Sequence, residues 1–371
     1  RPRPHPARPH RPHPPAVPAA SRAPGAFGPP PVIPGQPGGG SNAPAPQAGW
    51  GPARPVVSRL DQAAAVLALP VPHVDPGDPN AGFLAGLSSA APAELVAALR
   101  SAPEDSVEKR LRDVRARLEL GDTAGALREL RTLEDAADSD ADWRVVWHRG
   151  LAALSTGDFE TAALSFDAVY DAFPGEPAPK LALGICAEVL GQLDNAAEYY
   201  RLVWITDHSY VSAAFGLARV LLKSGDRIGA VAALESVPES SIHYTAARVA
   251  AIRARLRDRS PREPLLTDLH AAARQVEDLQ RQGLDSDRRE QLATEVLGSA
   301  LDWVLAGRTG DGASGGPAAA PGDILGARLT ERDLRFGLER SYRVLARLAQ
   351  QGGARIELVE RANRFRPRTW V

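Results

Sequence analysis

Methionine is missing from all 371 residues, cysteine occurs once, and three lysines stand against 41 arginines. Each shortage excludes something. A single thiol, Cys186, leaves no disulfide framework and no cysteine-ligated metal site. Set among apolar residues, it reads as a buried, inert thiol. No stretch approaches 18 consecutive apolar residues, so no membrane span is predicted. The arginine-rich start is not followed by the apolar core of a secretory signal, and the expected location is cytoplasmic. A net charge of −1 and a pI near 6.8 argue against a nucleic-acid partner. Strand patterning is nearly absent, and no phosphate loop, H-E-x-x-H or EF-hand pattern occurs. The expectation is therefore no metal, no cofactor and no catalytic residue.

What the chain does have is a period. Glycine followed by aspartate or glutamine recurs at Gly121, Gly157, Gly191 and Gly225, spaced by 36, 34 and 34 residues. Five residues after each glycine stands an alanine: Ala126, Ala162, Ala196 and Ala230. Two amphipathic helices and a tight turn repeating near 34 residues identify a tetratricopeptide-type array. The units read 107–140, 143–176, 177–210 and 211–244. Gly150 and Gly184 are the small residues that let a first helix approach its neighbour, with Val114 and Ala218 at the same place in the outer units. Phe166, Tyr200, Leu234 and Leu130 fill the gap between repeats. The prediction is an all-α tetratricopeptide-repeat solenoid with a C-terminal helical cap.

Four regions follow. Residues 1–58 form a Pro/Arg/Gly-rich segment read as disordered, since 18 of the 33 prolines fall before residue 56 and no acid precedes Asp61. Its Arg, Pro, His and Ala codons are what GC-rich DNA yields in almost any frame, so 1–55 is expected to be a fragment edge or an out-of-frame remnant. Residues 59–104 read as a linker with short helices, 105–257 as the array of about four repeats, and 258–371 as a helical region. Within that last region helices are predicted near 264–281, 288–306, 330–350 and 354–364, with a flexible loop at 307–322.

Two catalytic look-alikes fail on context. Gly312-Ala313-Ser314-Gly315-Gly316 matches a nucleophile elbow, but it lies in a low-complexity loop without the required strand and helix. Ala102-Pro103-Glu104 spells the APE triplet of a protein kinase with no other kinase element before it, and reads as a helix start. His5, His10 and His13 sit in the proline-rich tail and are not taken as metal ligands. Function is then expected on the face of the first helices. Projecting the register places Arg115, Arg144, Trp147, Leu181, Phe215, Arg219, Leu222 and Lys223 there. An aromatic and basic groove of this kind suits an acidic or phosphorylated peptide.

Several strings stand out, LALPVPHVDPGDP (67–79), WRVVWHRGLAALSTGDFETA (143–162), FPGEPAPKLALG (173–184), SAAFGLARVLLKSGDRIGAV (212–231), ALDWVL (300–305) and RPRTW (366–370), of which FPGEPAPKLALG and SAAFGLAR are not general repeat-consensus strings. With VRARLELGD (114–122) they make about 310 residues resemble the tetratricopeptide region of the actinobacterial protein kinase G family, soluble serine/threonine kinases of mycobacteria and relatives. The family's paired C-x-x-C rubredoxin module and its kinase residues have no counterpart here, so no catalytic role carries over. The resemblance implies a module that packs on a kinase domain, contributes to a homodimer and helps recruit substrates such as FHA-domain regulators. The alternatives are a free-standing adaptor, or a full serine/threonine kinase if a catalytic domain is encoded upstream.

Overall fold

The computed structural model describes residues 60–135, 142–307 and 323–367. The proline-rich segment 1–58, its histidines and the serine motif at 312–316 lie outside them, as does nearly all of the loop 307–322. The described residues form sixteen helices and no strand beyond one isolated bridge, Ile324 to Ala327. They divide into two compact units, Leu60–Asp207 and His208–Val371.

Unit 1 opens with three short helices, α1 (Gln62–Leu67), α2 (Ala81–Gly86) and α3 (Pro92–Leu99). Three helix pairs follow: α4 (Val107–Glu119) with α5 (Thr123–Glu134), α6 (Trp143–Thr156) with α7 (Phe159–Ala172), and α8 (Pro177–Val189) with α9 (Leu193–Thr206). Unit 2 begins with a fourth pair, α10 (Val211–Ser224) and α11 (Arg227–Glu235). It continues through α12 (Tyr244–Leu256), α13 (Leu266–Arg281), α14 (Ser286–Leu305), α15 (Glu331–Leu348) and α16 (Gly352–Phe365).

The turn glycines do what their spacing demands. Gly121, Gly157, Gly191 and Gly225 all adopt the left-handed conformation, with φ of 78°, 82°, 75° and 89°. The next residue caps the second helix: Asp122, Asp158 and Asp226 accept from the backbone N–H of Gly125, Thr161 and Gly229, whereas Gln192 makes no such bond. Ala126, Ala162, Ala196 and Ala230 are wholly buried.

The gap-filling positions reveal a volume rule. A Cβ placed on Gly150 would lie 2.6 Å from the Phe166 ring, and one on Gly184 would lie 3.0 Å from Tyr200. The two outer pairs put a larger small residue against a smaller partner at the same sixteen-residue offset. Val114 faces that register with Leu130 and Ala218 with Leu234, and all four are buried. Where glycine gives way to alanine the partner shrinks from an aromatic ring to leucine at near-constant total volume, as close packing requires, while Val114 with Leu130 makes a larger sum.

Ala102-Pro103-Glu104 is not a helix start. α4 begins at Val107 under Ser106, whose hydroxyl accepts from the Lys109 N–H, and Glu104 sits in the preceding loop with its N–H donating to the Asn80 side chain. Unit 2 is centred on an apolar cluster from α12 to α15 that includes Ile252, Leu269, Val276, Val296, Leu297, Trp303 and Leu334. The Trp303 indole donates to the Glu263 carbonyl at 3.0 Å, and Tyr342 stacks on Phe365 at 5.6 Å.

Candidate protein-binding face

The first helices of unit 1 do not present an open groove. Two of the expected lining residues are held by the chain's own segment 60–80, and two are buried in the helical core. Trp147 is 0 % exposed and meets Phe166 edge-on at 5.0 Å. Leu181 is buried. Arg115, also buried, donates to the carbonyls of Val66 and Leu67 at 3.4 and 2.6 Å and pairs with Glu119 at 2.7 Å. It places a cation on the C-terminal carbonyls of α1, where the helix dipole favours one. Arg144 is drawn into ion pairs with Asp75 and Glu108, both at 3.1 Å, and Asp142 at 3.5 Å. The expected roles of Arg115, Arg144, Trp147 and Leu181 as groove residues are therefore corrected: the two arginines hold the N-terminal strap, and Trp147 and Leu181 are buried core.

That strap is a designed contact. Prolines 70, 72, 76 and 79 stiffen it and remove backbone donors, and its remaining polar groups are met by side chains. The Asp75 N–H donates to Glu108 at 2.9 Å. The Asn80 amide donates to the Glu104 carbonyl and the Ser106 hydroxyl, and that hydroxyl donates to Asp78. Burial holds the Glu108 carboxyl above the usual carboxylate range, opposed by the Asp75 N–H and by Arg144 and Arg112. His148 is buried beneath, its Nδ1–H donating to the Arg144 carbonyl at 2.8 Å, and burial lowers its pKa to about 4. The same effect pushes the Cys186 thiol up to about 12, as an inert thiol requires.

Sequence reasoning passed over Asp75, Asn80, Glu108 and His148. Glu108 had a usable signal. It occupies the second position of its first helix, as Arg144 does in the next unit, and an opposite-charge pair one repeat apart announces a contact.

In unit 2 the register residues are differently placed. Phe215, Arg219 and Leu222 are half-buried on α10, and Lys223 is exposed at its last turn. Charge follows the same division. Residues 60–207 carry 25 Asp and Glu against 12 Lys and Arg, a net of −13; residues 208–371 carry 20 against 25, a net of +5. An acidic ligand meets repulsion from the first field and attraction from the second. A depression of about 420 Å³ between α3, α4 and α5 is lined by Lys109, Arg110 and Arg117, each paired with a neighbouring carboxylate. Among the described residues no His, Cys, Asp and Glu grouping could hold a metal ion, and no helix is long and apolar enough to cross a membrane.

The family model for the protein kinase G tetratricopeptide repeat matches residues 51–369. The chain belongs to that family. Among curated proteins, the chain is similar to two kinases. The serine/threonine-protein kinase PknG of Mycobacterium leprae (strain TN) is 40% identical over 313 residues, which is 81% of this chain and 39% of that protein. The kinase of the same name from Mycolicibacterium smegmatis (strain ATCC 700084 / mc(2)155) is 40% identical over 314 residues, with the same coverage. The chain thus spans about two-fifths of the length of these relatives. A tetratricopeptide repeat protein from Parabacteroides merdae ATCC 43184 aligns with a TM-score of 0.40 at 17% identity, over 60% of this chain and 87% of that one.

Proposed function

We propose that the chain is the protein-docking region of a protein kinase G-type serine/threonine kinase, and that it receives acidic or phosphorylated segments on the α10 face. Family membership supplies the class of function. The observation that carries the location is the contrast between first helices: α4 and α6 are tied to the strap, while α10 keeps Phe215, Arg219 and Lys223 at least partly accessible. An arginine and a lysine one helical turn apart beside an aromatic ring suit a carboxylate or phosphate with an adjoining apolar side chain. The kinase domain that would use this face, an FHA-domain substrate and a homodimer belong to the same reading, as does a cytoplasmic setting.

The test is titration of a labelled acidic peptide, with and without a phosphate, against the full chain and the variant Phe215→Ala/Arg219→Glu/Lys223→Glu. The expected result is a loss of about tenfold or more, larger at low salt, with helicity unchanged by circular dichroism. Equal affinities at equal helicity would move the docking face off α10.

A further inference from the structure

We propose that α15 and α16 in unit 2 together form a second docking surface, for an acidic amphipathic helix of a partner protein. The surface lies on elements other than α10 and does not depend on that reading. On α15, Arg332, Phe336, Arg340, Arg343 and Arg347 recur at three- and four-residue steps and are all exposed. Such steps place them in one stripe along the helix, about 22 Å from end to end. On α16, Ile356, Val359 and Asn363 share a face in the same way and are also exposed, Ile356 by 63%. Arg343 joins the two stripes, its guanidinium donating to the Asn363 side chain at 3.4 Å. The basic row of α15 therefore runs beside the apolar row of α16.

Most of these arginines are not spent on the chain's own acids. From Glu331 to Arg366 nine arginines meet five acids. Three of those acids are already taken: Glu331 by Arg335, Asp333 by Arg328 and Glu339 by Arg343, at 2.8, 2.8 and 2.9 Å. Among the described residues Arg340 and Arg347 have no carboxylate partner, and Arg332 lies only over the Phe336 ring, at 5.8 Å. Arg253, Arg255, Arg257 and Arg259 of the same unit are, by contrast, all committed to ion pairs. Spacing then selects the partner. Arg332, Arg340 and Arg347 stand about two helical turns apart, roughly 12 and 10 Å. A helix with carboxylates every seven or eight residues repeats that spacing, and guanidiniums offer such groups paired donors. Its apolar residues fall on Ile356 and Val359, which supply the desolvated centre. A nucleic-acid strand fits less well, since Phe336 is the stripe's lone ring for stacking and the chain's net charge is −1.

The probe is a fluorescein-labelled helical peptide of leucine and glutamate, its acids spaced to match, titrated against the full chain. A peptide of the same composition in scrambled order and a single-stranded DNA serve as controls. The ordered peptide is expected to bind about tenfold or more tightly than either. Arg340→Glu/Arg347→Glu and Ile356→Ser/Val359→Ser should each weaken it about tenfold at unchanged helicity, the first more strongly at low salt. Arg281→Glu/Arg288→Glu makes the same charge change at exposed positions of α13 and α14, and should alter binding less than about twofold. The α10 triple variant should do no more. The surface is overturned by no binding of the ordered peptide, or by equal binding of the scrambled peptide or the DNA. Equal loss at the Arg281 and Arg288 pair, or no loss in the apolar variant, would also overturn it and reduce the attraction to diffuse charge. Loss in the α10 variant alone would assign the peptide to α10 and sink this surface while leaving the α10 reading in place.

Discussion

Unit 1 is held together from within and unit 2 is laced from without. In unit 1 the helices are 12 to 14 residues long in each pair, and their spacing is set by glycine, alanine and aromatic positions that recur with the period. After α11 the period lapses, and α13, α14 and α15 lengthen to 16, 20 and 18 residues. Their joints carry a lattice of guanidiniums. Glu295 receives both Arg253 and Arg257, at 3.0 and 2.7 Å. Arg255 bridges Glu235 and Asp268, at 2.8 and 3.2 Å, and Arg259 reaches Asp268 at 2.9 Å. A repeat can reuse one solution for close approach. Helices of unequal length cannot, and polar pairs that tolerate varied geometry take over. The difference predicts unlike responses to volume, acid and salt.

Acid should separate the units most. His148 in unit 1 is buried with its pKa lowered to about 4, while no histidine of unit 2 is buried among the described residues. The unfolded chain binds that proton near pH 6.5, so between 6.5 and 4 it holds more protons than the folded one. Stability from this group is complete above pH 6.5 and is lost as pH falls towards 4, by about 3 kcal/mol. Urea unfolding followed by tryptophan fluorescence across this range is the measurement. His148→Gln should flatten the dependence, and a slope unchanged in that variant would remove His148 as its source.

Volume comes next. Gly150→Ala forces a Cβ to within 2.6 Å of a fully buried ring, so it should cost roughly 1–3 kcal/mol although alanine is the better helix former. Gly184→Ala, with 3.0 Å available, should cost less. Adding Phe166→Leu to Gly150→Ala recreates the Ala218 and Leu234 combination, and the pair should cost less than the sum of its members. Strict additivity would break the volume rule. Ala162→Leu belongs to the same class, at roughly 1–3 kcal/mol.

Salt should mark unit 2. Glu295→Gln releases two partly exposed arginines, an effect of about 1 kcal/mol that shrinks as salt rises. A salt-independent loss would mean packing, not charge, joins α12 to α14. Smallest in energy is the thiol. Cys186, with its pKa near 12, should react with a thiol reagent only at the rate unit 1 opens, and immediate labelling of the native chain would contradict its burial.

How much of this was legible depended on whether a feature repeats. Gly157, Ala162 and Phe166 could be read because the same constraint is printed again at Gly191, Ala196 and Tyr200. The last four helices, α13 to α16, were legible from their apolar spacing, to within two residues at each end. Segment 60–80 has no second copy in the chain, so nothing in its letters says that Asp75 meets Arg144 or that Leu67 meets Arg115. Projecting the groove from the register alone placed it on one face of the first helices. It left out what lies upon that face in unit 1, because occupancy is a long-range fact.

The scarcity of lysine also has a chemical consequence. Lys180 is buried and Lys109 half-buried, which leaves Lys223 as the most exposed lysine. Nearly all other positive charge is guanidinium, which stays protonated at any pH a cell reaches and is not neutralised by reagents or enzymes that cap amines. The opposite signs of the two units are therefore written in a form that amine modification cannot edit. Acidity can erase the negative one by protonating carboxylates, but the positive one persists for as long as the chain does.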